Sequence, residues 1–324
     1  MRGTGRLWNQ AIDSSRGSVA STIYEFYGAR PGTAESRRNA AARHCPFVDG
    51  PCKKKDIGAC SLKMANAEPV VICPNRLYGD GFKVIADVSG KALGGRTDIV
   101  GAEQFKHLRD AGQWDGSKAV AFGQGYDGEL SVTGPSDEDG KRSRFKIDFI
   151  VCAINAELEL EEFAAIEVQT IDISNSYRPA AEYYHSLSGN AEIDPARETA
   201  KAGLNWENVN KRILPQIIYK GHALRREDKA QEGLFFVLPH QVYKRILTRV
   251  GGTLQSYPRG PGTVTFETYD LGDPLADGTC PLVHVETFTT TVDQIAYAFV
   301  SPHNLPELGS YDAAIMRKLS SKRR

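Results

Sequence analysis

The chain has 324 residues, and its 40 lysines and arginines balance 40 aspartates and glutamates, so the formal net charge is zero. That balance excludes capture of a polyanion by global charge, and a nucleic acid partner would need a local basic surface. Hydrophobic residues make up 41%, as in a globular protein, and no apolar run reaches membrane-spanning length. The opening MRGTGRLWNQ lacks the apolar core of a secretory leader, so a cytoplasmic location is expected.

In chain order, SVASTIYEFYG at 18–28 reads as a helix closed by Gly28, and a short helix is expected from Ala34 to Arg43. Four of the six cysteines follow, at Cys45, Cys52, Cys60 and Cys73. Pro46, Gly50, Pro51, Gly58 and Pro74 punctuate that stretch, so apolar burial alone is not expected to hold its shape. Four thiolates around one ion would supply the cross-link, in a closed structural site suited to zinc or a single iron. The spacing departs from paired C-x-x-C motifs, and free buried thiols are the alternative. Disulfides are not expected in a reducing compartment. His44 is a candidate replacement ligand, whereas Cys152 and Cys280 fall in expected strands and read as packed residues. The resulting division is an N-terminal helical region at 1–44, a four-cysteine metal-binding segment at 45–78, and a larger remainder at 79–324.

That remainder begins with a helix from Glu103 to Ala111, a strand from Lys118 to Phe122, the strand GELSV and a polar loop. The strand RFKIDFIV comes next. Phe145, Ile147, Phe149 and Val151 share its apolar face, which leaves Asp148 on the other. In FAAIEVQTIDIS, Ile166, Val168 and Thr170 pack one way while Glu167 and Gln169 point the other. Two carboxylates on adjacent strands call for a cation. Mg²⁺ held by Asp148 and Glu167 against a phosphate would activate a water for in-line attack, the layout of a metal-dependent nuclease. Many nucleases of this layout carry a lysine two residues after the glutamate. Gln169 has no such charge, and its role is to orient the water through hydrogen bonds. Two solvated carboxylates at strand ends are the plain alternative.

A helix is expected from Tyr177, with Tyr177, Ala181 and Tyr184 on one side. Asn205 then caps a long helix whose stripe is Trp206, Val209, Ile213 and Ile217, with Pro215 kinking or interrupting it. Off that stripe are placed Asn210, Lys211, Arg212 and Lys220; with Arg178 they are the candidate DNA contacts, a solvated helix face being the alternative. The final third alternates GLFFVLP, TVTFETYDL and CPLVHVETFTTT with helices at 241–249 and 311–319, before a basic tail, RKLSSKRR. The fold class expected is α/β, a mixed central sheet flanked by helices, with a small N-terminal metal-binding region.

Five blocks taken together resemble the NotI-type restriction endonucleases, the group that also contains EagI. They are CPF at Cys45, ICPNRLYG at 72–79, GELS at 128–131, IEVQTIDISNSYR at 166–178 and GLNWENVNKRILPQIIYKG at 203–221. The likeness weakens over the last quarter of the chain. It implies a PD-(D/E)XK nuclease core with DNA-recognition elements across 79–324, and a homodimer. It also implies Mg²⁺-dependent double-strand cleavage at a GC-rich palindrome with a GGCC centre, and a single structural iron on the four cysteines. By motif matching, Asp148, Glu167 and Gln169 take the catalytic positions and Glu129 joins them. A cognate DNA methyltransferase is an expected companion in the same cell, without a stable complex. A sequence-specific DNA-binding protein with a structural metal and no hydrolytic activity is the rival hypothesis, and an iron-containing redox protein the third.

Overall fold

The computed structural model describes residues 20–320 apart from 55–56, 137, 141, 175, 188–191, 252–253 and 302–304. Its first element corrects the sequence reading: Ser21–Phe26 is a strand, β1, and not part of a helix. Ser21, Ile23 and Glu25 are buried while Thr22 and Tyr24 between them are half-exposed. That is a period of two, in a run rich in β-branched and aromatic residues. The rest of the expected N-terminal helical region at 1–19 lies outside the described residues, as does the end of the basic tail at 321–324. The next expected helix forms as α1 (Ala34–Ala42), with Thr33 accepting the Ser36 N–H at its N-terminus. β1 pairs antiparallel with β2 (Ala59–Met64), and β2 with β3 (Pro69–Val71), so the chain before and within the cysteine segment shares one small sheet.

The segment Pro74–Tyr78 is a tight single turn that leads into α2 (Gly79–Ala92). It is pinned from below. Arg76, 3% exposed, donates to the fully buried Glu25 of β1 at 2.8 Å, and Ser61 of β2 donates to the other Glu25 oxygen at 2.9 Å.

Beyond α2 come β4 (Ile99–Gly101), α3 (Ala102–Asp110) and β5 (Ala119–Gly123). An exposed hairpin follows, β6 (Ser131–Ser136) against β7 (Arg142–Lys146). Then come β8 (Phe149–Ile154), β9 (Leu160–Val168) and α4 (Arg178–Ser186). After α5 (Leu214–Leu224) the chain forms β10 (Leu234–Pro239), α6 (His240–Arg249), β11 (Thr263–Leu271), β12 (Leu282–Thr291), α7 (Val292–Val300) and α8 (Ser310–Ser320). Seven strands make one mixed sheet in the order β12-β11-β10-β9-β8-β5-β4. β9 runs antiparallel to β8 and parallel to β10.

Alternation along these strands loads both faces. Val84, Ile85 and Val88 of α2 cover Phe149, Val151, Ile166 and Val168 on one. Ile217 of α5, Ile246 of α6 and Ile295 of α7 pack over Ala165, Phe236 and Phe266 on the other. Each large apolar side chain so buried contributes about 2 kcal/mol. Pro215 interrupts its helix as expected, through one widened turn at Val209–Ile213 in which the Leu214 N–H reaches back to the Val209 carbonyl. A proline has no N–H to return and crowds the preceding turn, and an inserted residue relieves the clash. No helix among the described residues is long and apolar enough to cross a membrane.

Candidate active site

Sheet register brings the two acids together. Phe149 is the partner of Ile166, so one step further along the antiparallel pair Asp148 stands opposite Glu167, on the same face. The expected continuous strand pauses at Ile147 and Asp148, between β7 and β8. The bend frees the Asp148 carboxylate to accept the Val168 N–H at 2.9 Å. Glu167, 5% exposed, lies on the sheet face that α5 covers, and there the Lys220 ammonium donates to its carboxylate.

Burial, and then the Asp148 charge, push the Glu167 carboxyl up to about 7, while Lys220 pulls the other way. Asp148 is also raised, by burial first; the negative Glu129 adds to this, and the Val168 N–H and Lys220 oppose it. Glu129 itself is exposed on the coil before β6, 3.2 Å from the Lys146 ammonium. Its negative charge adds to the upward push on the Asp148 carboxyl. Gln169 follows the last residue of β9. Its side-chain amide donates one N–H to the Thr170 carbonyl at 2.7 Å, which leaves its own carbonyl oxygen and the second N–H able to orient water.

Two members of this site were not read from the sequence as such. Tyr78, at the end of the turn pinned by Arg76, is 5% exposed, and its hydroxyl is pushed up by burial and then by Asp148, Glu167, Cys73 and Glu129. Its ring packs edge-on against Phe149 at 5.3 Å, on the α2 side of the sheet, and no periodicity in ICPNRLYG announces it. Lys220 was placed off the apolar stripe among DNA contacts. The structure turns it inward, and the signal was available: it lies three residues after the buried Ile217 and four before the buried Leu224.

Cys45 and Cys60 are buried, Cys52 and Cys73 half-buried, and all are free thiols. They feel one another. Burial first, and then neighbouring cysteines in the set, raise Cys60, and Cys45 and Cys73 add to the burial of Cys52. The Asn75 amide donates to the Cys45 sulfur at 3.8 Å, and the Cys73 N–H to the Cys60 carbonyl at 3.3 Å. Among the described residues no three His, Cys, Asp or Glu side chains stand at metal-holding distance. The donor chemistry of the cysteines suits a soft cation, whose charge would relieve the repulsion among thiolates. His44 pairs with Asp49 at 3.6 Å. Cys152 is packed in β8, its thiol against the Val120 carbonyl, whereas Cys280 lies just before β12 and not inside a strand.

A cleft of about 570 Å³ opens between the cysteine segment and the chain leaving β9, walled by Lys54, Ile72, Asp172, Tyr177, Arg178 and Asn208. Of the candidate DNA contacts, Arg178 is exposed at this cleft, Lys211 is exposed on the widened turn, and Arg212 pairs with Asp172. Asn210 sits on the same turn, with a buried side-chain oxygen that has no hydrogen-bond partner.

Paired carboxylates opposite one another on a mixed sheet, one of them bonded to a largely covered lysine, are equipment that suits a nuclease. The family described as Restriction endonuclease NotI matches residues 32–240, more than half of the chain and a span that includes every residue of this site. The chain belongs to that family: it is a type II restriction endonuclease, a site-specific deoxyribonuclease acting on double-stranded DNA. No curated sequence matches it.

Proposed function

We propose that the enzyme cuts both strands of a GC-rich palindrome with a GGCC centre in an Mg²⁺-dependent reaction, working as a homodimer on a PD-(D/E)XK core. The observation that carries the chemistry is the facing of half-buried Asp148 and buried Glu167, two carboxylates whose charged forms are disfavoured by burial and would be favoured by a bound cation. Mg²⁺ held by this pair would supply a Lewis acid to the phosphate and make a water acidic. Asp148, fixed by the Val168 N–H, keeps its place in the pair, and Glu129 adds acidic charge. The Gln169 carbonyl oxygen accepts from the attacking water. The new O–P bond forms in line with the breaking P–O3′ bond, one water proton passes to solvent, the leaving 3′ oxygen takes one, and a 5′ phosphate remains.

The GGCC centre, the homodimer and the choice of iron over zinc for Cys45, Cys52, Cys60 and Cys73 rest on the family likeness. A palindrome suits a two-fold dimer because each subunit presents the same side chains to one half-site. Arg178, Asn210, Lys211 and Arg212 are the proposed DNA contacts. The cysteine segment contributes to the cleft wall through Lys54, which lies 3.5 Å from both the Ile72 carbonyl and the Tyr177 hydroxyl. Such an enzyme works in the cytoplasm beside a protective DNA methyltransferase. Digestion of a large sequenced DNA with Mg²⁺, followed by end mapping, tests all of this; cuts confined to one palindrome containing GGCC are expected. A parent enzyme inert on GC-rich plasmid, or Asp148→Asn protein cutting as fast as the parent, overturns the proposal.

A further inference from the structure

We propose that Lys220 is the catalytic cation of the site, delivered from helix α5 to do what a lysine at position 169 would do. The inference rests on the hydrolytic reading above and extends it to a residue outside the strand motif. Three observations converge. Position 169 holds a neutral glutamine that carries no positive charge, one of its amide N–H groups being given to the Thr170 carbonyl. The Lys220 ammonium is bonded to Glu167, with its side chain 15% exposed against 7% for the glutamate. Its neighbours on the same segment behave otherwise: Tyr219 is 63% exposed and Lys211 lies in solvent, where a cation that merely follows the DNA backbone would be.

The surrounding packing fixes this placement. Ile217 and Leu224 bury the face of α5 that carries Lys220. Gly221 lets α7 approach so closely that a Cβ there would lie 2.3 Å from a Val292 methyl. Shutting a lysine into such a site desolvates it, and a buried ion pair contributes little net stability. A function in the reaction explains the placement better than stability does. The Lys220 ammonium hydrogen-bonds the attacking oxygen and a non-bridging phosphate oxygen as the O–P bond forms and P–O3′ breaks, and so meets the charge that grows in the transition state.

The test moves the charge. Lys220→Met is expected to lower the single-turnover cleavage rate in Mg²⁺ by at least about a hundredfold while DNA affinity in Ca²⁺, read by fluorescence anisotropy, changes less than about threefold. Adding Gln169→Lys to Lys220→Met returns the cation from the strand and is expected to recover at least about tenfold of the loss. Lys220→Met cutting at the parent rate, or losing affinity as much as rate, overturns the inference. If the single variant does not fold, the folded double variant decides: cleavage above that of Asp148→Asn supports the inference, and cleavage no better overturns it. A parent inert on DNA would instead refute the underlying nuclease reading, so the two failures are distinguishable.

Discussion

At the residue scale the site is a balance of charge against burial, and the balance has a measurable pH signature. The Glu167 carboxyl stands at about 7, above its ordinary 4.5, because burial and Asp148 disfavour its ionised form. Between those values the folded, metal-free protein binds more protons than the unfolded chain, so stability falls as pH rises. The contribution is fully present below about pH 4.5 and lost as pH climbs through about 7, with an upper bound of about 3 kcal/mol. Asp148, also raised, adds in the same direction. The melting temperature in EDTA is therefore expected to drop from weakly acidic to weakly alkaline buffer, and Mg²⁺ to restore most at the alkaline end. Glu167→Gln flattens the dependence. A metal-free melting curve indifferent to pH across this window would contradict the electrostatics described here.

The same residues show what the sequence makes legible. Asp148 and Glu167 were readable because a strand has a period of two, and that period alone assigns each carboxylate to a face. Glu129 and Tyr78 were not, because a coil and a single tight turn have no period. Glu129 was named only through the family likeness. Lys220 was misplaced for another reason: a long basic side chain is ordinarily assigned to solvent, although its spacing from Ile217 and Leu224 put it on the buried face.

At the scale of elements, the fit of α5 against α7 governs the chemistry at a distance. A methyl at Gly221 adds about 1 kcal/mol of helix propensity. It also meets Val292, which is 1% exposed and has no room to turn away. Overpacking of this kind costs about 1–3 kcal/mol, so the clash wins. Gly221→Ala is expected to lower the urea midpoint modestly and to slow cleavage more than it weakens DNA binding, since the helix carries Lys220 and must shift. Equal or higher stability with unaltered cleavage would show that the contact is slack. Elements also mark where local reading failed. In sequence β1 reads as a helix because its apolar and aromatic residues are dense, yet their buried positions alternate. The break at Pro215 was placed correctly, but its form, a widened turn and not a kink, depends on how the neighbouring helices hold the segment.

At the scale of the whole molecule, the α/β class and most strands were readable while the order of the sheet was not. β9 lies beside β10 although α4 and α5 intervene in the chain, and β1 pairs with strands on the far side of the cysteine loops. Such pairings are settled by the burial of whole faces, which no local window contains. They also make the cysteine segment a wall of the polar cleft and bring Cys73 within electrostatic reach of Tyr78, and Tyr78 within reach of the acid pair. A metal at Cys45, Cys52, Cys60 and Cys73 should then act on DNA binding first and on chemistry second. If the four cysteines hold a metal, elemental analysis of the parent should detect a single equivalent of iron or zinc, and Cys60→Ser, at a buried position, is expected to abolish it and to lower the melting temperature. It is also expected to weaken DNA affinity in Ca²⁺ by at least about tenfold. Single-turnover cleavage at saturating enzyme should fall far less, because Asp148, Glu167 and Lys220 stand on the central sheet and α5. A metal-free variant that binds DNA like the parent would detach the cysteine segment from recognition, and an equal loss of affinity and chemistry would place it inside the reaction.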